Sequence, residues 1–367
     1  MADYKKYQSD GVSAEDKALD KFAELMIEKI ESLKNSDSWK QPWFTEGSLR
    51  WPRNLSGREY NGMNALLLMM LCEKQNYKLP VFCTFNRAVG LNYTTDKQGA
   101  KKPITDADGQ PLPRVGINKG EKSFPVMLTT FTVVDKDTKE KINYEDYKRL
   151  SNDEKAQYNV YPKLNVYQVF NVDQTNLKEA RPDLYAKLES ENKLQRPFSG
   201  EGESFKFPAM DAMIAENKWI CPINLVHQDN AYFSISKNQI TLPEKSQFKD
   251  GESFYGTAFH EMTHSTGTAE MFNRFNPESG FGSAEYAKEE LVAELGSALV
   301  AQRYGMTKNL KDDSAVYMKS WLDSLKESPS FIKTTLMDVK RATSVITQRI
   351  DEVALELEAK QSQTNDK

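Results

Sequence analysis

Cysteine, histidine and long apolar runs are what this sequence has least of. Its three cysteines, Cys72, Cys83 and Cys221, are scattered and odd in number, which excludes a disulfide framework and a zinc site built on thiolates. The longest apolar run, "ALLLMMLC" ending at Cys72, is far too short to cross a bilayer, which takes about twenty residues. The opening "MADYKKYQSDG" is polar, without the apolar stretch of a secretory leader. Internal repeats and coiled-coil heptads are missing too. These absences set the expectation of a cytoplasmic protein with no membrane partner. With three histidines in the whole chain, imidazole chemistry has few places to sit.

What is present belongs to a globular protein. Hydrophobic residues make up 39% and charged residues 28% of a 367-residue chain, long enough for two domains that each bury a core. The net charge of −4 is unevenly spread: residues 50–122 hold twelve basic side chains against six acids, so that stretch carries +6 and the remainder −10. A basic stretch in an acidic protein suits a polyanion partner or simply a lysine-rich solvated surface.

Leu19, Phe22, Leu25, Met26, Ile30 and Leu33 recur at helical spacing and predict a helix over about 14–36; a second, apolar helix is expected over about 61–75. "PVFCTFNRAV", "SFPVMLTTFTVVD" and "KLNVYQVFNVD" are rich in β-branched and aromatic residues and read as strands. "YEDYKRLSNDEKAQY" reads as a short charged helix inserted between two of them, and "DADGQP" marks a loop or extra hairpin between Thr94 and Ser123. Residues 178–204 are polar and punctuated by Pro182, Pro197, Gly200 and Gly202, the pattern of a linker. The expected division is therefore a first domain over 1–177, a linker over 178–204 and a second domain over 205–367. Within the second, the pattern gives a helix near 207–217, a hairpin-like pair around "INLVHQDNAYFSIS", a strand ending in "ITLP" and four helical stretches. The fold class expected is α+β, with a mostly helical second domain that carries a small sheet.

Two of the three histidines fall in "FHEMTHSTG", residues 259–267. Four residues apart on a helix, His260 and His264 project from one face and can share one cation. Glu261 lies about 100° further round, where it can take a proton from a water beside that cation without ligating it. Asp250 or Ser253 could cap the start of the helix, and Gly267 suits a left-handed residue at its end. A catalytic zinc needs a third protein ligand. Glu270 is one possibility, six residues beyond His264. The helical stretch "AEYAKEELVAELGSALVAQRYG" offers Glu290 and Glu289. Glu290 and Glu294 share a face of that helix, and the small Ala293, Gly296 and Ser297 would let it approach the first helix closely. The favoured reading is of gluzincin type, with Glu290 as ligand and Glu294 orienting a histidine from behind; Glu289 and Glu270 stay open as alternatives. His227 reads as an ordinary surface histidine. The expected cofactor is one divalent metal ion, zinc for preference, and the expected chemistry is that of a zinc metallopeptidase acting on an unknown protein or peptide.

"LPEKSQFKDGESFYGTAFHEMTHSTG", "YAKEELVAELGSAL" and "YMKSWLDSLKESPSFI" together resemble the metallopeptidase domain of ArdC-type antirestriction proteins. "WKQPWF", "PRNLSGREYNGMNALLL", "GINKGEKSFPV" and "VFNVDQTN" resemble that family's single-stranded-DNA-binding domain, in the expected order. The resemblance implies a single-stranded DNA partner and a role in protecting plasmid or mobile-element DNA against restriction. The residues agree with it: Trp39, Trp43, Phe44, Trp51 and Tyr60 interleave with Lys40, Arg50, Arg53 and Arg58, and "NKGEK" adds Lys119 and Lys122. Rings that stack bases beside cations that meet phosphates are what single-strand binding needs. The candidate DNA contacts are thus Lys40, Trp43, Arg53, Arg58, Tyr60, Lys119 and Lys122. The sequence departs from the family pattern at Ser265, where an aromatic is common, at "TAEMFNRF", at Asn238 and over residues 94–114, which resemble an insertion. Two other readings compete: a peptidase whose first domain recognises protein, and a DNA-binding protein whose metal is only structural.

Overall fold

The structure is a computed structural model that describes residues 13–34, 51–96, 98–192, 205–275, 283–306, 317–327 and 329–365. In the first half, α1 (Ala14–Lys34) buries Leu19, Phe22, Leu25, Met26 and Ile30 along one stripe, as the spacing predicts. After β1 (Arg53–Asn54) comes α2 (Met63–Gln75), buried almost all round and closed by Asn76 in the left-handed region at φ 53°. Only three residues of "PVFCTFNRAV" are strand, β2 (Val81–Cys83); the rest is α3 (Phe85–Gly90). The switch is a capping event. Thr84 is extended and its hydroxyl accepts from the Arg87 amide, which starts a helix.

β3 (Tyr93–Thr95) and β4 (Lys101–Pro103) form the extra hairpin expected after Thr94. The dominant feature is a long antiparallel ribbon of β5 (Phe124–Asp135) and β7 (Tyr158–Asn171), in register from Phe124↔Val169 to Asp135↔Tyr158. β6 (Lys141–Ile142), α4 (Tyr144–Arg149) and α5 (Asn152–Lys155) occupy its tip. Among the described residues these strands make a five-stranded sheet of order β1-β2-β7-β5-β6. α6 (Leu177–Ala180) and α7 (Pro182–Glu191) follow. Leu177, Ala180, Tyr185 and Leu188 pack with Leu79, Val81, Val115 and Val172 of the first half. The stretch predicted as linker thus opens with two helices.

In the second half, α8 (Pro208–Ala215) leads to β8 (Ile223–Val226), β9 (Tyr232–Ser234) and β10 (Gln239–Pro243). The hairpin expected of β8 with β9 does not form, because β10 lies between them, parallel to β8 and antiparallel to β9. The tight turn joins β9 to β10 instead and contains Asn238 at φ 46°, a conformation that asparagine tolerates better than most residues. Among the described residues four helices follow: α9 (Gly251–Ser265), α10 (Ala284–Arg303), α11 (Met318–Glu327) and α12 (Pro329–Asn365).

The largest core is shared between the halves. α1 and α2 bury Phe22, Met26, Leu66 and Leu67 together with Leu291, Leu295, Trp321, Ile332 and Leu336 from α10, α11 and α12. At about 1.5–3 kcal/mol for each fully buried large apolar side chain, this cluster outweighs any surface contact in fixing the long helices. A second core lies under α8, β10 and α9. Among the described residues, no helix is long and apolar enough to cross a membrane.

Candidate metal centre

α9 starts where the Asp250 carboxylate accepts from the Ser253 amide at 2.6 Å. It ends at Ser265, with Thr266 still right-handed. Gly267 is therefore not the left-handed stop that the sequence suggested. It is small for another reason: a Cβ there would lie 2.9 Å from the Phe275 ring and 3.1 Å from Arg274 Nη2. The aromatic that the resemblance places just after the second histidine is replaced by Ser265, which accepts from the Trp219 indole at 3.0 Å.

α10 is buried on nearly every side from Ala287 to Gln302. Such a helix normally carries no charge, yet three carboxylates, Glu289, Glu290 and Glu294, sit within it. Ala293, Gly296 and Ser297 are all buried, and a Cβ on Gly296 would come within 2.8 Å of Thr263 on α9. This close crossing brings the carboxylates of one helix to the imidazoles of the other.

The result is a convergence of three donors. His260 Nε2 and His264 Nε2 face each other at 3.2 Å. The Glu290 oxygens stand 3.5 Å from the first and 3.7 Å from the second. Two nitrogens about 2.1 Å from one tetrahedrally bound ion would be about 3.4 Å apart, so the ring spacing is close to that of a shared divalent cation. Ligand atoms of His260, His264 and Glu290 all lie within 4.8 Å of one another. Glu270 is exposed and stands outside this group, whereas Glu289 turns to the far side of His264. His227 is a surface residue, with its side chain 81% exposed beside Glu244.

Each histidine is backed by a carboxylate on its other nitrogen. Glu294 Oε1 is 3.5 Å from His260 Nδ1, and Glu289 Oε1 is 3.1 Å from His264 Nδ1. The second contact is what sequence reasoning missed. Glu289 is held by Arg274, whose Nε and Nη2 each donate to its carboxylate at 2.8 Å. Arg274 also donates to the Thr263 carbonyl and the Thr266 hydroxyl, tying the loop after α9 to the same point. Burial opposes ionisation of Glu289, but the Arg274 and His264 hydrogen bonds overcome it and hold the carboxyl below its usual range. Burial likewise opposes charge on His264. The Glu289 hydrogen bond and the Glu290 and Glu261 charges outweigh that, so without a metal its pKa is raised. Glu261 is buried on the same helix, close enough to act electrostatically on both His264 and Tyr286.

The candidate DNA contacts are dispersed. Lys40 and Trp43 lie outside the described residues, as do Trp39, Phe44 and Arg50. Arg53 turns inward to Glu191, Nη2 to Oε2 3.0 Å, with only 19% of its side chain exposed. Tyr60 is half-buried against the Phe82 edge, and burial pushes its hydroxyl up to about 12. Trp51 donates to the Tyr60 carbonyl at 2.5 Å and lies under the Arg303 guanidinium. Arg58, Lys119 and Lys122 are exposed.

Fold and site define a two-domain α+β protein whose second domain has the two-histidine, one-glutamate arrangement of a zincin. Comparisons with known proteins agree. Residues 16–170 match the family described as the N-terminal domain of anti-restriction factor ArdC, and residues 208–336 match the zincin-like metallopeptidase family. Together the two matches give the chain an ArdC-type N-terminal domain followed by a zincin-like metallopeptidase domain. Two crystal structures of the antirestriction protein ArdC from plasmid R388, one metal-free and one bound to Mn(II), share its fold at TM-score 0.60 and 22% identity. They cover 91% and 90% of this chain and 98% and 97% of their own. A DNA primase TraC of Escherichia coli is 29% identical over 352 residues, 93% of this chain. The chain spans about a fifth of that relative's length, 20%.

Proposed function

We propose that this chain binds single-stranded DNA through its first domain and hydrolyses peptide bonds through its second, in the service of protecting mobile-element DNA from restriction. The convergence of His260, His264 and Glu290 on one point, with Glu261 buried beside it, carries the peptidase reading. Those three residues would hold the ion, for which zinc suits the donor set. When bound, zinc lowers the pKa of water and polarises a carbonyl. Glu261 takes the proton from the attacking water and delivers it to the departing amine. Glu294 and Glu289 fix the two rings in the tautomer that leaves each Nε2 free to bind. We place the domain boundary after α7, because α6 and α7 pack on the first half.

The rival in which the first domain recognises protein draws support from Arg53, whose guanidinium faces Glu191, and from Tyr60, whose ring is half-buried against Phe82. A salt series separates the two. Anisotropy of a labelled single-stranded oligonucleotide should show affinity that falls steeply with salt, and no binding at low salt would favour the rival. For the peptidase, a peptide library incubated with the protein and single-stranded DNA should yield cleavage that Glu261→Gln abolishes at full metal content. Equal cleavage by wild type and Glu261→Gln would refute it.

A further inference from the structure

The β5–β7 ribbon has two unlike faces. At the foot both reach the main core, through Met127, Leu164 and Val166 on one and Phe124, Val126 and Val169 on the other; beyond it, Phe131 of the first stacks on Tyr144 of α4 at 4.2 Å. The register puts Leu128, Thr130 and Thr132 of β5 on the other face, opposite Asn165, Lys163 and Tyr161 of β7, with Tyr167 next in line. Here large side chains are left in water: Tyr161 is 55% exposed, Tyr167 42% and Leu128 40%. Lys163 lies between the two tyrosines and is exposed as well. Asn165 donates to Thr130 across the strands at 2.9 Å, a polar contact in the middle of the face.

We propose that this ribbon face is the track on which single-stranded nucleic acid lies, with Tyr161 and Tyr167 stacking on bases and Lys163 and Lys122 meeting phosphates. The proposal rests on the single-strand reading given above and assigns it a place. Three observations select the occupant. Between Val126 and Val134, and between Asn159 and Tyr167, the register positions of this face hold no carboxylate. The tyrosines stand six residues apart, about 20 Å along a strand, with an amide and an ammonium between them, so rings and polar groups alternate along a line as sequence-tolerant strand binding requires. At the foot of the ribbon the turn before β5 exposes Lys119 and Lys122, while the intervening Glu121 carboxylate is engaged by the Gln174 amide at 2.8 Å. A protein partner would ask for an apolar centre, and the centre of this face is Thr130, Lys163 and Asn165.

The test is fluorescence anisotropy of a labelled oligothymidine with the full chain across a salt series, beside sedimentation of each variant. Tyr161→Ala with Tyr167→Ala should weaken binding at least tenfold with the salt slope unchanged. The matching Phe pair keeps the rings and should stay within twofold of wild type, which separates ring loss from misfolding. Lys163→Ala should flatten the plot of log affinity against log salt by about 0.7. If wild type binds and the Ala pair stays within twofold, the track lies elsewhere and the single-strand reading survives. If wild type fails to bind at low salt, that reading falls and takes this proposal with it. A change in sedimenting mass with DNA affinity intact would mean that the face seats a second copy, which overturns the proposal.

Discussion

His260 and His264 differ in what stands behind them. Glu294, behind His260, is fully buried, whereas Glu289, behind His264, is anchored by two hydrogen bonds from Arg274. A carboxylate behind a ligating imidazole typically matters ten- to a hundredfold in metal affinity. Glu289→Gln should therefore retain the fold and weaken metal binding by that range in a competition titration against a chelating dye. Glu270→Ala should change nothing in the same titration. Protonation adds a pH dependence. In the metal-free protein His264 has a raised pKa, and its proton must leave before the ring can ligate. Metal affinity should climb with pH until that raised value is passed. The sign for folding is opposite: a base with a raised folded-state pKa stabilises fully below its unfolded value, about 6.5, and loses that contribution as pH rises through the folded value. Chelator-treated protein should thus melt at lower temperature as pH rises above about 6.5, while the gap to metal-loaded protein widens. A gap that narrows over that range would contradict the assignment.

At the scale of elements, the site depends on how closely α9 and α10 cross. Gly296 against Thr263 sets that distance. Gly296→Ala must push the helices apart, and overpacking of this kind costs about 1–3 kcal/mol. Denaturant melts should show the loss, and metal affinity should drop with it; an unchanged affinity would mean that the crossing has slack. This contact was legible in the sequence, because H-E-x-x-H fixes a face, Glu290 and Glu294 fix another, and small residues between them can only mean proximity. The pairing of Glu289 with Arg274 was not. A carboxylate one position from the ligand has no period of its own, and an arginine in a loop gives no sign of where it folds back. Elsewhere, local capping defeated strand propensity at Thr84, and the polar composition of 178–204 hid two helices whose apolar residues fit a small core.

Over the whole molecule, the two halves are joined by more than a linker. α1 and α2 complete the core that also seats α10, and Arg303 at the end of α10 pairs with Glu59 of the first half at 2.7 Å. This long-range packing has no short-range signature, which is why the sequence shows two domains and a linker but not the core that α1, α2 and α10 share. A consequence is that the metal helix is supported from both halves, so a claim about its ligands is a claim about the whole fold. The direct test is metal content by elemental analysis after loading with zinc and removal of excess, for wild type, Glu261→Gln and Glu290→Ala. Wild type and Glu261→Gln should each retain one ion per chain and Glu290→Ala should retain almost none. Full retention by Glu290→Ala would contradict the three-ligand site proposed for these two helices.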